Sequence, residues 1–517
     1  MPSSSAPTPT DPVPDSAAAV RAAHDGAPRP SHMERELGLP QAAALNIANM
    51  VGIGPFITIP TFLAAMNGPQ AMIAWGIAAV LVTADGLVWS ELGAAFPGSG
   101  GSYHFLRELF ERYRWGRLMP FLFIWQFLIS GALEMASGYI GAVMYLKYLW
   151  PSLDELPLPG GASCLAAAAA LTISLCLLQP IRRLGLLSMI LCAGTLLTVV
   201  VVIVAGWLNF DSSLLRLPEH AFRLDGQFVH GLGAAMMIAI YDYLGYYNVC
   251  HLGEEVHNPA RTIHRAVMIS IAVVATIYFS MNLAIIGVIP WQEASKSENI
   301  AALFMERLYG RSAANALTLL ILWTVVACMF AITLGYSRIP YAAARRGDFF
   351  PVFARVLPVS RAPYVSLLAL GLLTAAFCFI DLATVISAAV AVRIVVQFSG
   401  QIVGLILARR ALPRHRFPFR MWLYPLPCLV ALAGWLFVFL SAEIKVILGS
   451  LAVLASGAVG FAVFQFWNRN TRPVAAASQS PGTAAAAPNS STPLSNSNTD
   501  GTIARDGDRD FGSEGDR

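Results

Sequence analysis

About twelve runs of apolar residues, each long enough to cross roughly 30 Å of hydrocarbon, follow one another along this chain. They lie near 41–66, 70–95, 118–149, 161–180, 185–208, 227–251, 263–290, 313–343, 363–380, 382–408, 421–441 and 443–467. In lipid, every backbone N–H and C=O must be satisfied within the protein, so only helices or closed barrels can span. Runs of about twenty residues have the length of a helix, about twice that of a spanning strand. The sequence therefore predicts an all-α integral membrane protein that crosses the bilayer about twelve times. Composition agrees: 56% of residues are hydrophobic, only 12% are charged, and the mean hydropathy is +0.61.

Charge placement predicts the topology. Each loop that an even span count puts on the side of the N-terminus is basic, including Arg107 to Arg117, Arg182 and Arg183, Arg261 to Arg265, Arg345 to Arg361, and Arg409 to Arg420. About 18 Lys or Arg lie on that side against about 7 on the other, so both termini are expected in the cytoplasm, in a plasma or inner membrane. The turn at Asp381 separates spans nine and ten, and a miscount there would break this pattern. Residues 299–310 (NIAALFMERLYG) read as an interfacial helix. Residues 1–40 and 468–517 read as disordered cytoplasmic tails around a twelve-span domain at 41–467; residues 1–30 lack the basic head and apolar run of a signal peptide. The seven cysteines are scattered, with no CxxC pair, so they imply neither disulfide nor metal. A net charge of +4 in short loops gives no nucleic-acid face.

Two spans carry helix breakers at their centres. The first contains NIANMVGIGPFITIP, with Asn46, Asn49, Gly52, Gly54, Pro55 and Thr58; the sixth reads GAAMMIAIYDYLGYYNVCHLGEE. Proline lacks an N–H, and glycine costs about 1 kcal/mol in a helix, so VGIGPF is where the first span opens. A lone GxG also suits close helix packing, but interruptions in two spans five apart are the sign of inverted repeats around a central site. Asp85, Glu134, Asp242 and Arg393 fall inside spans, where a charge costs at least about 2.5–3.5 kcal/mol and is a functional candidate. Three have a structural alternative: Asp242 as a cap for the helix that restarts after the break, Asp85 in packing or snorkelling, Arg393 as a neutraliser of one acid; Glu134, near mid-span with no breaker to serve, reads as functional. Tyr241, Tyr243, Tyr246 and Tyr247 crowd the sixth break. His251, His257 and His264 read as solvated at a cytoplasmic exit.

Three stretches in order and spacing then carry a resemblance. VGIGPF, SELGAAFPGSGGSYHFLRE from Ser90 and GEEVHNPARTIHRA from Gly253 resemble the amino acid-polyamine-organocation superfamily of secondary transporters, over about Gln41 to Trp467. The resemblance implies a LeuT-like five-plus-five inverted repeat with two further C-terminal helices. It implies a small-molecule site between the first and sixth breaks, drawn from Met50, Gly52, Ile53, Gly54, Pro55, Glu134, Tyr241, Asp242 and Gly245. In the family, backbone around the first break receives the substrate carboxylate, as suits freed N–H groups at a half-helix end. Tyr241 aligns with the gating aromatic. Polyamine-uptake members look similar at Asp85 and Glu134, but the acid they place at Tyr247 is missing here, and one stands at Asp242 instead.

The reading is a permease, not an enzyme, that moves amino acids or polyamines by alternating access, with cationic substrates favoured. No cofactor or metal is expected. Asp85, Glu134 and Asp242 are the proton candidates, and exchange without an ion is the other possibility, because the eighth span lacks a paired hydroxyl and the fifth lacks a lysine. Oligomeric state is not legible. A neutral amino acid permease and a non-transporting nutrient sensor are the alternatives, the latter separable by accumulation of label in proteoliposomes.

Overall fold

A computed structural model describes residues 37–98, 100–113, 116–155, 161–179, 184–219 and 221–471, with side chains of 154–155, 184–193 and 469–471 not described. The chain divides into units 1–467 and 468–517, and the first holds the structure discussed below. The tails expected to be disordered lie mostly outside the described residues. Just inside, Leu37 already pairs in parallel with Val256 and accepts from the His257 amide at 2.9 Å, so ordered backbone begins before residue 40.

Every predicted run is helical. Span one is α1 (Leu39–Met50) and α2 (Gly54–Met66), span two is α3 (Met72–Ala95), and α4 (Ser102–Phe110) lies in the following loop. Span three is α5 (Leu118–Leu149), span four α6 (Ala162–Cys176), span five α7 (Leu184–Leu208) and span six α8 (Gly226–Tyr243). Span seven is α9 (Pro259–Ile286); α10 (Ile300–Tyr309) precedes span eight, α11 (Arg311–Arg345). Span nine is α12 (Tyr364–Phe377), and span ten runs through α13 (Leu382–Arg393), a π-helical segment (Ile394–Ser399) and α14 (Gly400–Ala411). Spans eleven and twelve are α15 (Leu426–Leu440) and α16 (Ile444–Thr471).

Among the described residues, 6 helices are long and apolar enough to cross a membrane, and α1 with α2 adds a seventh span bent by 53°. The remaining runs are shorter helices, cut back by their breaks and ends. Asp381 decides the boundary between spans nine and ten: its carboxylate accepts from the Thr384 amide at 2.9 Å and caps α13, satisfying an orphan donor at a helix start. The helix expected to lie at the membrane interface forms as α10, but Ile300, Ala301, Phe304 and Met305 are buried against α11 and α2, so protein and not lipid covers its apolar face.

Packing follows a two-fold logic. Each of the first four spans packs against the span five places later: α2 on α8, α3 on α9, α5 on α11, α6 on α12. That is the pairing expected of five-plus-five repeats facing one another. The two C-terminal spans add to this frame, with α15 against α3. Aromatic edges lock the centre: Trp75 meets Phe62, Tyr243 and Tyr278 in edge-to-face contacts at 5.4–6.1 Å, each adding about 0.5–1.5 kcal/mol beyond burial.

Candidate functional site

The first span does open. Helix α1 ends at Met50, three residues bridge the break, and α2 restarts at Gly54 with Pro55 in its first turn. Proline suits that position, where an N–H would have no helical partner. Backbone exposed at membrane depth must find partners. Here tyrosines supply them: the Tyr278 hydroxyl donates to the Met50 carbonyl at 2.5 Å and the Tyr145 hydroxyl to the Phe56 carbonyl at 2.8 Å. Among the described residues the Ile53 and Gly54 amides donate to no backbone carbonyl; the Ile53 amide is directed at the Cys328 thiol.

The sixth span stops at Tyr243, turns through Gly245 in the left-handed region (φ 113°), and continues only as a short turn of helix at Asn248–His251. Only glycine adopts that conformation freely, and a Cβ at 245 would also press within 3.1–3.2 Å of the Asn49 and Met50 backbone. Asn46 ties this break to the first one. Its amide nitrogen donates to the Tyr246 carbonyl at 2.6 Å, and its oxygen accepts from the Val249 amide at 2.8 Å. One fully buried side chain in α1 thereby satisfies two backbone groups that the sixth span has released.

Between the breaks lies a cavity of about 30 Å³ lined by Asn49, Met50, Gly52, Ile53, Gly54, Glu134, Tyr241, Asp242, Leu244, Cys328, Met329 and Ile332. A volume of that order holds a single water, so lining side chains must move before an amino acid fits. Asp242 is 3% exposed. Its Oδ2 accepts from the Thr58 hydroxyl at 2.6 Å, its Oδ1 has no partner, and among the described residues it forms no ion pair. Oδ1 sits so close to Gly54 that an added Cβ would lie 2.1 Å from it. The carboxylate thus reaches across to the first span and does not cap the segment after its own break, which has no side-chain cap. The Tyr241 hydroxyl is held 2.5 Å from Ser137 Oγ on α5.

The other charges are arranged differently from what the sequence suggested. Glu134 faces the cavity but is neutralised: Arg393 pairs with its Oε2, and the Tyr336 hydroxyl donates to the same oxygen at 2.8 Å. Arg393 is therefore the neutraliser, and Glu134 adds no uncompensated negative charge to the site. Asp85 does not line the cavity; it accepts from Tyr246 at 2.5 Å and from Trp435 at 3.2 Å, bracing the sixth break from behind. Pro55 and Gly245 shape the breaks without lining the cavity. Cys328, Met329 and Ile332 of α11 were missed because an apolar face of span eight reads like any other. The hydroxyls of Thr333 and Ser337 bond back to carbonyls of their own helix.

Two of the resemblance-bearing motifs meet outside the cavity. The Gly100 amide donates to the His251 carbonyl at 3.1 Å, and Gly253 approaches the Gly98 backbone so closely that a Cβ would lie 2.9 Å from its nitrogen. The histidines there are not all solvated as expected. His251 packs among the Trp89 and Tyr247 rings and His264 stacks on Phe419 at 3.9 Å, while His257 is exposed.

Comparison with known proteins agrees with this architecture. A family model described as amino acid permease matches residues 37–473. The serine/threonine exchanger SteT of Bacillus subtilis (strain 168) is 24% identical over 417 residues, covering 78% of this chain and 90% of SteT. Human cationic amino acid transporter 4 is 27% identical over 344 residues, covering 64% of this chain but only 53% of that protein. The human b(0,+)-type amino acid transporter 1 is 26% identical over 339 residues, covering 64% of this chain and 66% of that protein. Matched by this family model over most of its length, this chain belongs to the amino acid permease family of the amino acid-polyamine-organocation superfamily.

Proposed function

We propose that this multi-pass membrane protein is a secondary transporter that moves amino acids by alternating access, with cationic amino acids or polyamines favoured. One observation carries the preference: Asp242 is a buried carboxylate with a free oxygen and, among the described residues, no cationic partner, facing the cavity beside the first break. A substrate ammonium or guanidinium that meets it forms a charge-assisted bond, stronger than a neutral one. The Ile53 and Gly54 amides, at the start of α2, suit a substrate carboxylate. Tyr241 over the cavity serves as the moving aromatic. The basic bias of alternate loops supports cytoplasmic termini.

A second reading, a neutral amino acid permease, is favoured by the pairing of Glu134 with Arg393, which removes one of two charges that would attract a cation. In that case Asp242 meets only the α-amino group. Similarity to a serine/threonine exchanger points the same way. Thermal-shift measurements on purified protein separate the two, since ligand at 100 times its Kd stabilises the folded state by about 2.7 kcal/mol. Arginine, agmatine, putrescine or spermidine is expected to raise Tm more than leucine or alanine. A shift with neutral amino acids alone overturns the cationic preference, and arginine without agmatine or putrescine restricts the site to amino acids.

A further inference from the structure

Spans three and ten hold a line of polar side chains that the cavity does not use. On α5, Gln126, Ser130 and Glu134 recur every four residues; on span ten, Arg393, Gln397 and Gln401 do the same. Four-residue spacing keeps side chains along one stripe of a helix, and α5 packs against both α13 and the π-helical segment. The stripes are pinned at two levels. Arg393 pairs with Glu134 at the cavity, and Gln401 donates to Ser102 Oγ at 3.1 Å, at the start of loop helix α4.

Between these pins, buried polar atoms lack partners: Arg393 Nε and Nη1, Gln126 Nε2 and Oε1, Ser130 Oγ, Gln397 Oε1 and Gln401 Oε1. All five residues are at most 2% exposed. Native proteins leave few such atoms unpaired, and clusters of them are where buried water is bound. A second observation falls at the same level: Gln397 lies in the π-helical segment Ile394–Ser399, and such segments occur frequently at functional sites. A purely structural polar ladder would show bonds across the helix pair, yet among the described residues Gln126 and Ser130 make none.

We propose that these side chains line a hydrated column that carries protons between Glu134 and the α4 side of the protein. The inference rests on the transport reading above and supplies its coupling route. Arg393 on α13, Tyr336 and Cys328 on α11, Tyr241 and Asp242 on α8, and Tyr247 in the sixth break are the titratable and charged groups facing Glu134. A proton from bulk water enters at the Ser102 end. Each water in the column accepts one proton and passes one on, and the last protonates the Glu134 carboxylate. The neutral acid releases Arg393, which keeps its charge; loss of the proton through the cavity, which Glu134 also lines, to water on the opposite side restores the pair, and the reverse order carries a proton the other way.

The test uses the full chain in proteoliposomes, a mixture of the twenty amino acids carrying ¹⁴C as probe, and pyranine trapped inside. Two rates are read: exchange against internal unlabelled amino acids at equal pH, and uptake driven by a pH gradient with accompanying dye response. The wild type is expected to show both. Gln126→Leu and Gln397→Leu should keep exchange within about threefold and lose at least about tenfold of gradient-driven uptake and dye response. Variants that keep gradient-driven uptake, or wild-type exchange without proton movement, overturn the column while leaving the transport reading intact. A wild type that exchanges nothing removes both. Should the leucine variants misfold, Ser130→Cys decides: a small methanethiosulfonate reagent should label it at least about tenfold faster than Ala132→Cys, which is equally buried but lies about 200° round the helix from the column. Equal rates overturn the proposal.

Discussion

Gly54→Ala is the sharpest test of the central site, because it adds one methyl where the two breaks touch. The ideal Cβ falls 2.1 Å from Asp242 Oδ1, 3.2 Å from its Cγ and 3.5 Å from Tyr241 Cε1, while ordinary contact begins at 3.4 Å. The carboxylate must retreat by roughly 1.3 Å, well beyond the spread of a hydroxyl hydrogen bond. Its 2.6 Å bond from Thr58 is therefore lost or badly bent, and the free oxygen no longer points at the same place. A hydrogen bond to a charged group is worth about 1.5–3 kcal/mol, so substrate affinity should fall about 10- to 150-fold. The assay is equilibrium binding of the strongest ligand from the thermal-shift screen. Gly449→Ala, on a helix with nothing within 4 Å, is the control and should change nothing. Because the displaced groups belong to the site and not to the wider core, expression and Tm without ligand should hold to within a few degrees. Unchanged affinity in Gly54→Ala would refute the placement of Asp242 as the substrate's ammonium partner.

Two further perturbations probe the frame and its pH dependence. Asn46→Leu leaves the Tyr246 carbonyl and the Val249 amide without their partner; at about 1–3 kcal/mol per unsatisfied buried group, the variant should unfold several degrees lower in detergent, and an unchanged Tm would mean the sixth break finds other partners. His104, in loop helix α4, is pushed from its ordinary 6.5 to about 4 by burial and then by Arg346. A lowered histidine stays neutral when folded but binds a proton when unfolded, so the unfolded state holds more protons between these values and stability falls as pH drops from 6.5 towards 4. Thermal unfolding across that range should show the decline, and His104→Gln should flatten it; an identical slope in the variant would assign the effect to other groups.

Much of this protein is written in its sequence because lipid leaves the backbone so few options. Apolar run length gives the number and order of the spans, and glycine with proline marks where the first must open, since both act on the backbone locally. The break at VGIGPF, the turn at Asp381 and the crowding of polar groups in the sixth span are all legible without neighbours. Partnership is not. That Asn46 would satisfy the sixth break, that Arg393 would neutralise Glu134 and not Asp242, and that Asp85 would brace Tyr246 all depend on which faces of distant helices meet. The apolar face of span eight carries no mark of its place at the cavity, because Cys328, Met329 and Ile332 look the same facing lipid, core or substrate. Sequence determined where helices form and break, through local backbone chemistry. Tertiary structure decided which buried charge stays unpaired, because the charge a cavity presents is what remains after its neighbours have paired.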